Sequence, residues 1–134
     1  MRRNKLDSKE VSKTIRINLL KMINKGKSSH IGSVLSIADI LSVLYCDVLN
    51  YSPSNPKFEL RDRFVLSKGH AGAALYAILA EYGFFDQEKL FDHYQNGSKM
   101  SGHVSHYVEG VEVSTGSLGT GLGISCGIAL ALKL

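Results

Sequence analysis

Residues 122–132, "LGISCGIALAL", are apolar on every side: the stretch carries no charge, and its glycines and single serine leave no polar stripe at helical spacing. A helix of this kind is expected to be buried all round, between a sheet and its neighbours. It is also too short to span a bilayer. It reaches Leu134 without a capping glycine or a polar last turn. The chain offers only one good strand candidate, and one strand cannot make a sheet. The expectation is therefore that another polypeptide completes the fold, or that the chain is a fragment of something longer.

With 134 residues, 44% hydrophobic and 21% charged, the chain suits one globular core and not two. Asp7 or Ser8 can cap a first helix, with Glu10 in its opening turn. Val11, Ile15, Leu19, Leu20 and Ile23 then recur at helical spacing up to Gly26. Ser36 followed by Asp39 predicts a second helix start, with Ile37, Ile40, Leu41, Leu44, Val48 and Leu49 on one apolar face before Pro53 and Pro56. Residues 64–66 read as a short buried strand, ended by Ser67, Lys68 and Gly69. The helix after it turns Ala71, Ala74, Leu75, Ile78, Leu79 and Tyr82 inward and stops at Gly83. Strand, glycine turn and helix in that order predict an α/β nucleotide or cofactor site. A shorter helix from Asp86 places Leu90, Phe91 and Tyr94 on one face. The polar, glycine-punctuated stretch after it is long for an idle loop, which points to function.

The net charge of +4 arises from 16 Lys and Arg against 12 Asp and Glu, much of the excess falling before residue 28. Those charges occupy the solvent face of a periodic helix with no aromatic residues between them, so nucleic-acid binding is not expected. The N-terminus has no apolar stretch after its arginines and is not a secretory signal. Cys46 and Cys126 each sit in an apolar helical pattern and read as buried thiols of a reducing compartment. A cytoplasmic protein with no membrane association is the expectation.

Of five histidines, three lie beside glycine at element junctions: His30 in "SHIGS", His70 in "SKGHAG" and His103 in "SGHVSH". Glycine lets a ligand approach the backbone while the imidazole donates a hydrogen bond or moves a proton. His93 and His106 have no such placement. His103 and His106 lack a third ligand at zinc spacing, so no metal site is assigned. "TGSLGTGLG" carries Gly116, Gly119, Gly121 and Gly123 ahead of a helix, which suits a diphosphate. It is neither a P-loop nor a clean dinucleotide fingerprint, and close helix packing through glycine explains the pattern equally well.

Four blocks, "HIGSVLSIADILSVLY", "RDRFVLSKGHAGAALYAILAEYG", "SGHV" and "GVEVSTGSLGTGLGISCGIALAL", in this order and spacing, resemble the N-terminal, diphosphate-binding domain of transketolases. The likeness runs from about residue 8 to residue 134, and it is closest in kind to the separate N-terminal subunit of split transketolases. It implies an α/β, thiamine-diphosphate-binding fold, of which residues 1–134 would be the N-terminal part only, helices plus the first strands of a parallel sheet. It also implies transfer of a two-carbon ketol unit between sugars, by a cofactor bound across a subunit interface. By resemblance, His30 contacts the donor sugar and assists proton transfer, His70 lies near the diphosphate and the reacting carbon, and His103 binds the hydroxyl of the transferred unit. Gly116, Ser117 and Leu118 match the segment that lines the cofactor.

Thr120 stands where the family usually has glutamine, and Val104 where it has a proline after the histidine. The family's Mg²⁺- or Ca²⁺-binding motif is expected beyond residue 134. The glutamate that activates the cofactor is expected in a C-terminal subunit or domain. The resemblance thus implies a partner of that kind, sugar phosphate substrates, an oligomer, and no activity of the chain alone. The alternative is a non-catalytic truncated remnant or a partner-binding fragment.

Overall fold

The structure is a computed structural model and describes residues 7–134; Arg2, Arg3 and Lys5 of the basic N-terminal run lie outside the described residues. Helix α1 spans Ser8–Gly26, and the Asp7 carboxylate caps it by accepting the Lys9 amide at 3.1 Å. This satisfies one of the donors that every helix leaves open at its start. Val11, Ser12, Ile15, Leu19 and Met22 form the buried stripe while the lysines remain in water. Leu20, predicted to face inward, instead points to solvent at 55% exposure. Ser12 takes an inner position because its hydroxyl donates to Asp39, whose other oxygen receives Arg16 Nη2 at 2.8 Å. The Ser12 hydrogen bond, aided by the Arg16 charge, holds the Asp39 carboxyl below the usual carboxylate range.

The second helical stretch differs from its predicted form. It begins five residues before Ser36, as α2 (Ile31–Leu35), breaks at residues 36–37, and resumes as α3 (Ala38–Val43), which runs into a π-helical turn, Leu44–Val48. Ser36 caps nothing with its side chain, and its hydroxyl turns back to the Ser33 carbonyl. Val34, Ala38, Leu41 and Tyr45 form the buried face, with Ile40 and Val48 outside. The break and the wider π turn rotate the chain away from an ideal 3.6-residue register, so the apolar face shifts round the axis.

Helix α4, Gly72–Glu81, is the centre of the molecule: every residue from 72 to 80 is buried. Glycine and alanine at positions 72, 73, 74, 77 and 80 let α1, α2 and α3 pack closely around it, and Leu75, Ile78 and Leu79 fill the space between. Its end at Gly83, with φ of 79°, is as predicted.

Residues 64–66, where the apolar run predicts a strand, have no strand partner, and among the described residues there is no β-strand. A strand exists only through a hydrogen-bonded neighbour. Here the Leu66 carbonyl is taken by the Thr115 hydroxyl at 2.5 Å. The bidentate pair of Arg61 with Glu112, at 2.9 and 3.0 Å, ties the same stretch to the long loop.

Beyond α4 the chain makes a 3-10 turn, Gln87–Asp92, in which Leu90 is buried as predicted. Tyr94 is exposed, and His93 is the buried neighbour instead. His93 Nε2 lies 3.1 Å from the Ser28 hydroxyl, while Nδ1 makes no hydrogen bond. Burial pushes the imidazole below its ordinary 6.5, opposed in part by the Met100 carbonyl. The unfolded chain therefore takes up the proton first as pH falls. The stabilising contribution is complete above about 6.5 and is lost from there down through the folded-state value, at roughly 1.4 kcal/mol for each unit of depression. Urea midpoints measured from pH 8 to pH 5 should fall below 6.5 and flatten in His93→Leu; an equal slope in the variant would exclude His93 as the cause.

Helix α5, Thr120–Ala131, is left largely uncovered, as expected of an apolar helix whose cover comes from elsewhere. The apolar composition predicts burial on every side, yet only Gly121 is buried, and Leu122 and Leu130 are 68% and 62% exposed. It approaches the chain closely at Gly121, where a Cβ would stand 2.7 Å from Ser67 Cα, and Ile124, Ser125 and Ile128 are half-buried. Cys126 on this helix is likewise exposed and not buried, while Cys46 is half-buried with its Sγ 2.7 Å from the Tyr82 hydroxyl. No helix among the described residues is long and apolar enough to cross a membrane.

Candidate cofactor and substrate site

Three segments far apart in sequence deliver histidines to one place. His30 precedes α2 with φ of 73°, a left-handed conformation that costs a residue with a Cβ about 1–2 kcal/mol. Such strain persists only where the surroundings impose it. His70 sits in a 3-10 turn, Gly69–Ala71, that leads into α4. His103 lies in the long loop, and two donors hold its carbonyl: the Tyr76 hydroxyl at 2.8 Å and the Ser101 hydroxyl at 2.8 Å. Burial pushes the Tyr76 phenol up to about 12, so it stays a neutral donor.

Two glycines make this convergence possible. A Cβ at Gly69 would stand 2.2 Å from the Thr115 carbonyl oxygen, and one at Gly72 would stand 2.6 Å from the Val104 amide nitrogen. The Val104 amide in turn donates to the Gly69 carbonyl at 3.0 Å. The loop carrying His103 and the turn carrying Gly116 thus lie directly on the backbone around His70. The ring centroids are 4.8 Å apart for His30 and His70, 5.2 Å for His30 and His103, and 4.5 Å for His70 and His103. Burial, followed by the proximity of His70 and His30, lowers the His103 pKa. A neutral imidazole with a free nitrogen can accept a proton from a hydroxyl or donate a hydrogen bond to an oxygen.

The glycine turn adjoins the trio. The nearest atom to a Cβ placed on Gly116 is His103 Cδ2, at 3.9 Å. Gly119, with φ of 89°, turns the chain into α5, and nothing stands within 4 Å of a Cβ at Gly119 or Gly123. Open space in front of the N-terminus of a twelve-residue helix fits an anionic group such as a diphosphate. Ser117 and Leu118 lie exposed on the same turn. A hard divalent cation is different: Mg²⁺ and Ca²⁺ take oxygen ligands, and the one group of three metal-ligating side chains among the described residues is the imidazole trio.

His106 lies apart, its Nδ1 2.7 Å from the Ser114 hydroxyl and its ring against Tyr107. Tyr76 was not expected at the site, although a tyrosine inside an otherwise apolar helix needs a partner for its hydroxyl. That requirement was the available signal.

The sequence profile described as "Transketolase, thiamine diphosphate binding domain" matches residues 7–134. The chain belongs to this transketolase family. One of the subunits of the apulose-4-phosphate transketolase of Phocaeicola vulgatus is 43% identical over 119 residues, a match covering 89% of this chain and 42% of that protein. The 6-deoxy-6-sulfo-D-fructose transketolase subunit SqwG of Clostridium sp. (strain MSTE9) is 38% identical over 135 residues, covering 100% of this chain and 49% of that protein. Among solved structures, transketolase from Leishmania mexicana superimposes with a TM-score of 0.85 at 36% identity, covering 96% of this chain and 19% of that one. The chain thus spans less than half the length of these transketolase relatives. The fold is that of the matching part of a transketolase.

Proposed function

We propose that residues 1–134 are the N-terminal part of a transketolase that passes a two-carbon ketol unit between sugars, most suitably sugar phosphates. The observation that carries this reading is the convergence of His30, His70 and His103 beside Gly116. Two relatives bear the names of transketolase subunits, one for a sugar phosphate and one for a sulfo sugar. In this reading the diphosphate of thiamine diphosphate rests on the turn of Gly116, Ser117 and Leu118 and on the start of α5, with His70 beside it. When bound, the cofactor supplies the carbon nucleophile that opens the bond next to a ketose carbonyl. His30 and His103 orient the hydroxyls of the sugar by hydrogen bonds. His103, kept neutral by its depressed pKa, takes the proton of a hydroxyl and returns it.

A C-terminal subunit or domain completes the site in this reading, contributing the activating carboxylate, and the Mg²⁺ or Ca²⁺ ligands also come from outside residues 1–134. Those same parts would cover the exposed apolar sides of α5 and pair residues 64–66 into a parallel sheet, in an oligomer working in the cytoplasm. The second reading, a non-catalytic fragment that binds a partner, is favoured by α5 alone, whose leucines face solvent.

Calorimetric titration with thiamine diphosphate and Mg²⁺, followed by assay with the C-terminal half and a ketose phosphate donor, separates the two. The chain alone should show no ketol transfer, and activity should appear on adding the C-terminal half. No activity from a complex that forms stably would favour the partner-binding reading.

A further inference from the structure

The ligand nitrogens of His30, His70 and His103 lie within 4.8 Å of one another. The rings meet edge to face, with interplanar angles of 76°, 61° and 73°, instead of stacking flat. None of the three rings hydrogen-bonds to a described side chain or carbonyl. Their backbones are fixed independently, by the left-handed turn at His30, by the 3-10 turn at His70, and by the clamped carbonyl of His103.

We propose that these three imidazoles form a site for a borderline divalent transition-metal ion, Zn²⁺, with the fourth position open to water. Zinc bound about 2.0–2.1 Å from each of three nitrogens sets them roughly 3.4 Å apart. Small rotations of partly exposed rings close the remaining gap. Neutral imidazole suits Zn²⁺, whereas Mg²⁺ and Ca²⁺ prefer oxygen, so the selectivity is opposite to that of a diphosphate-bound cation. Among the described residues no carboxylate orients the second ring nitrogens, and the affinity is accordingly below that of a dedicated structural site. The site stands whether or not the chain serves a transketolase. Where it does, Zn²⁺ and the sugar hydroxyls compete for the same nitrogens.

The test uses the full chain without a histidine tag, stripped with chelator and titrated with ZnCl₂ by calorimetry, and with CoCl₂ by visible absorption. The expected result is one Zn²⁺ per chain, a strong cobalt band of four-coordinate type, and no heat from MgCl₂. His30→Ala, His70→Ala and His103→Ala should each weaken Zn²⁺ binding roughly 100-fold or more, because even outer partners of ligands are worth 10–100-fold. His106→Ala and Cys126→Ser should leave it unchanged. Where an alanine variant alters the circular dichroism spectrum, the glutamine variant at the same position replaces it. Binding that survives in all three histidine variants, that disappears in His106→Ala or Cys126→Ser, or that gives a pale six-coordinate cobalt spectrum would overturn the proposal.

Discussion

Gly69→Ala is expected to cost more stability than any other single methyl added to this chain. The new Cβ would sit 2.2 Å from the Thr115 carbonyl oxygen and 2.6 Å from its carbon. Both are backbone atoms, so no side chain can swing aside. Thr115 is itself pinned by its hydroxyl on the Leu66 carbonyl. Relief requires residues 115–116 to move away from the 3-10 turn Gly69–Ala71, which also strains the Val104 amide bond to the Gly69 carbonyl. Overpacking costs about 1–3 kcal/mol where side chains can adjust, and a rigid contact belongs at or above the top of that range. Against a typical total of about 5–15 kcal/mol, the loss should appear as a large drop in urea midpoint with an unchanged slope. Gly32→Ala is the control: no atom lies within 4 Å of its Cβ, and a helical alanine there should be neutral or stabilising by roughly 0.4–1 kcal/mol. Equal midpoints for the two variants would disprove the close backbone approach.

His103→Ala is expected to lower kcat/KM of the completed transketolase by roughly 10²–10⁴-fold, the usual worth of a positioned acid–base group. That corresponds to about 2.7–5.4 kcal/mol of transition-state stabilisation. Folding should barely change. The His103 ring meets the His30 and His70 rings edge to face, and the loop is held through its carbonyl by Tyr76 and Ser101. The midpoint should shift by no more than about 0.5 kcal/mol, as for an ordinary surface change. His103→Asn, which can still hydrogen-bond a hydroxyl but cannot take its proton, should retain more of the binding, seen in KM, than of the turnover. Activity within tenfold of the parent in the alanine variant would remove His103 from the reaction.

The sequence was most legible where local rules and tertiary demand agree. Helix α1 follows from Asp7 as cap and the recurrence of Val11, Ile15 and Leu19, and α4 from its unbroken apolar run up to Gly83. The three histidines were legible for a different reason. Each stands within two residues of a glycine at a junction, and the blocks around them match a family whose profile covers residues 7–134. Periodicity misread the second helical stretch because His30 starts it in a left-handed conformation that carries no capping signature, and because the turn Leu44–Val48 is π-helical. Either feature shifts which residues face inward, so Ile40 lies outside and Val34 inside.

Composition determined that residues 122–132 form a helix requiring cover, but burial is a relation between segments, and only the tertiary structure shows α5 touching the chain at Gly121 and leaving Leu122 and Leu130 in solvent. The strand expected at residues 64–66 depends on tertiary structure for the same physical reason. Apolar character is local, whereas a strand needs a hydrogen-bonded neighbour, and none is present among the described residues. The sequence alone marked His30, His70 and His103 as the histidines near glycine at element junctions. Their meeting within 4.8 Å was decided by tertiary structure, through the backbone contacts that Gly69 and Gly72 permit between segments more than thirty residues apart.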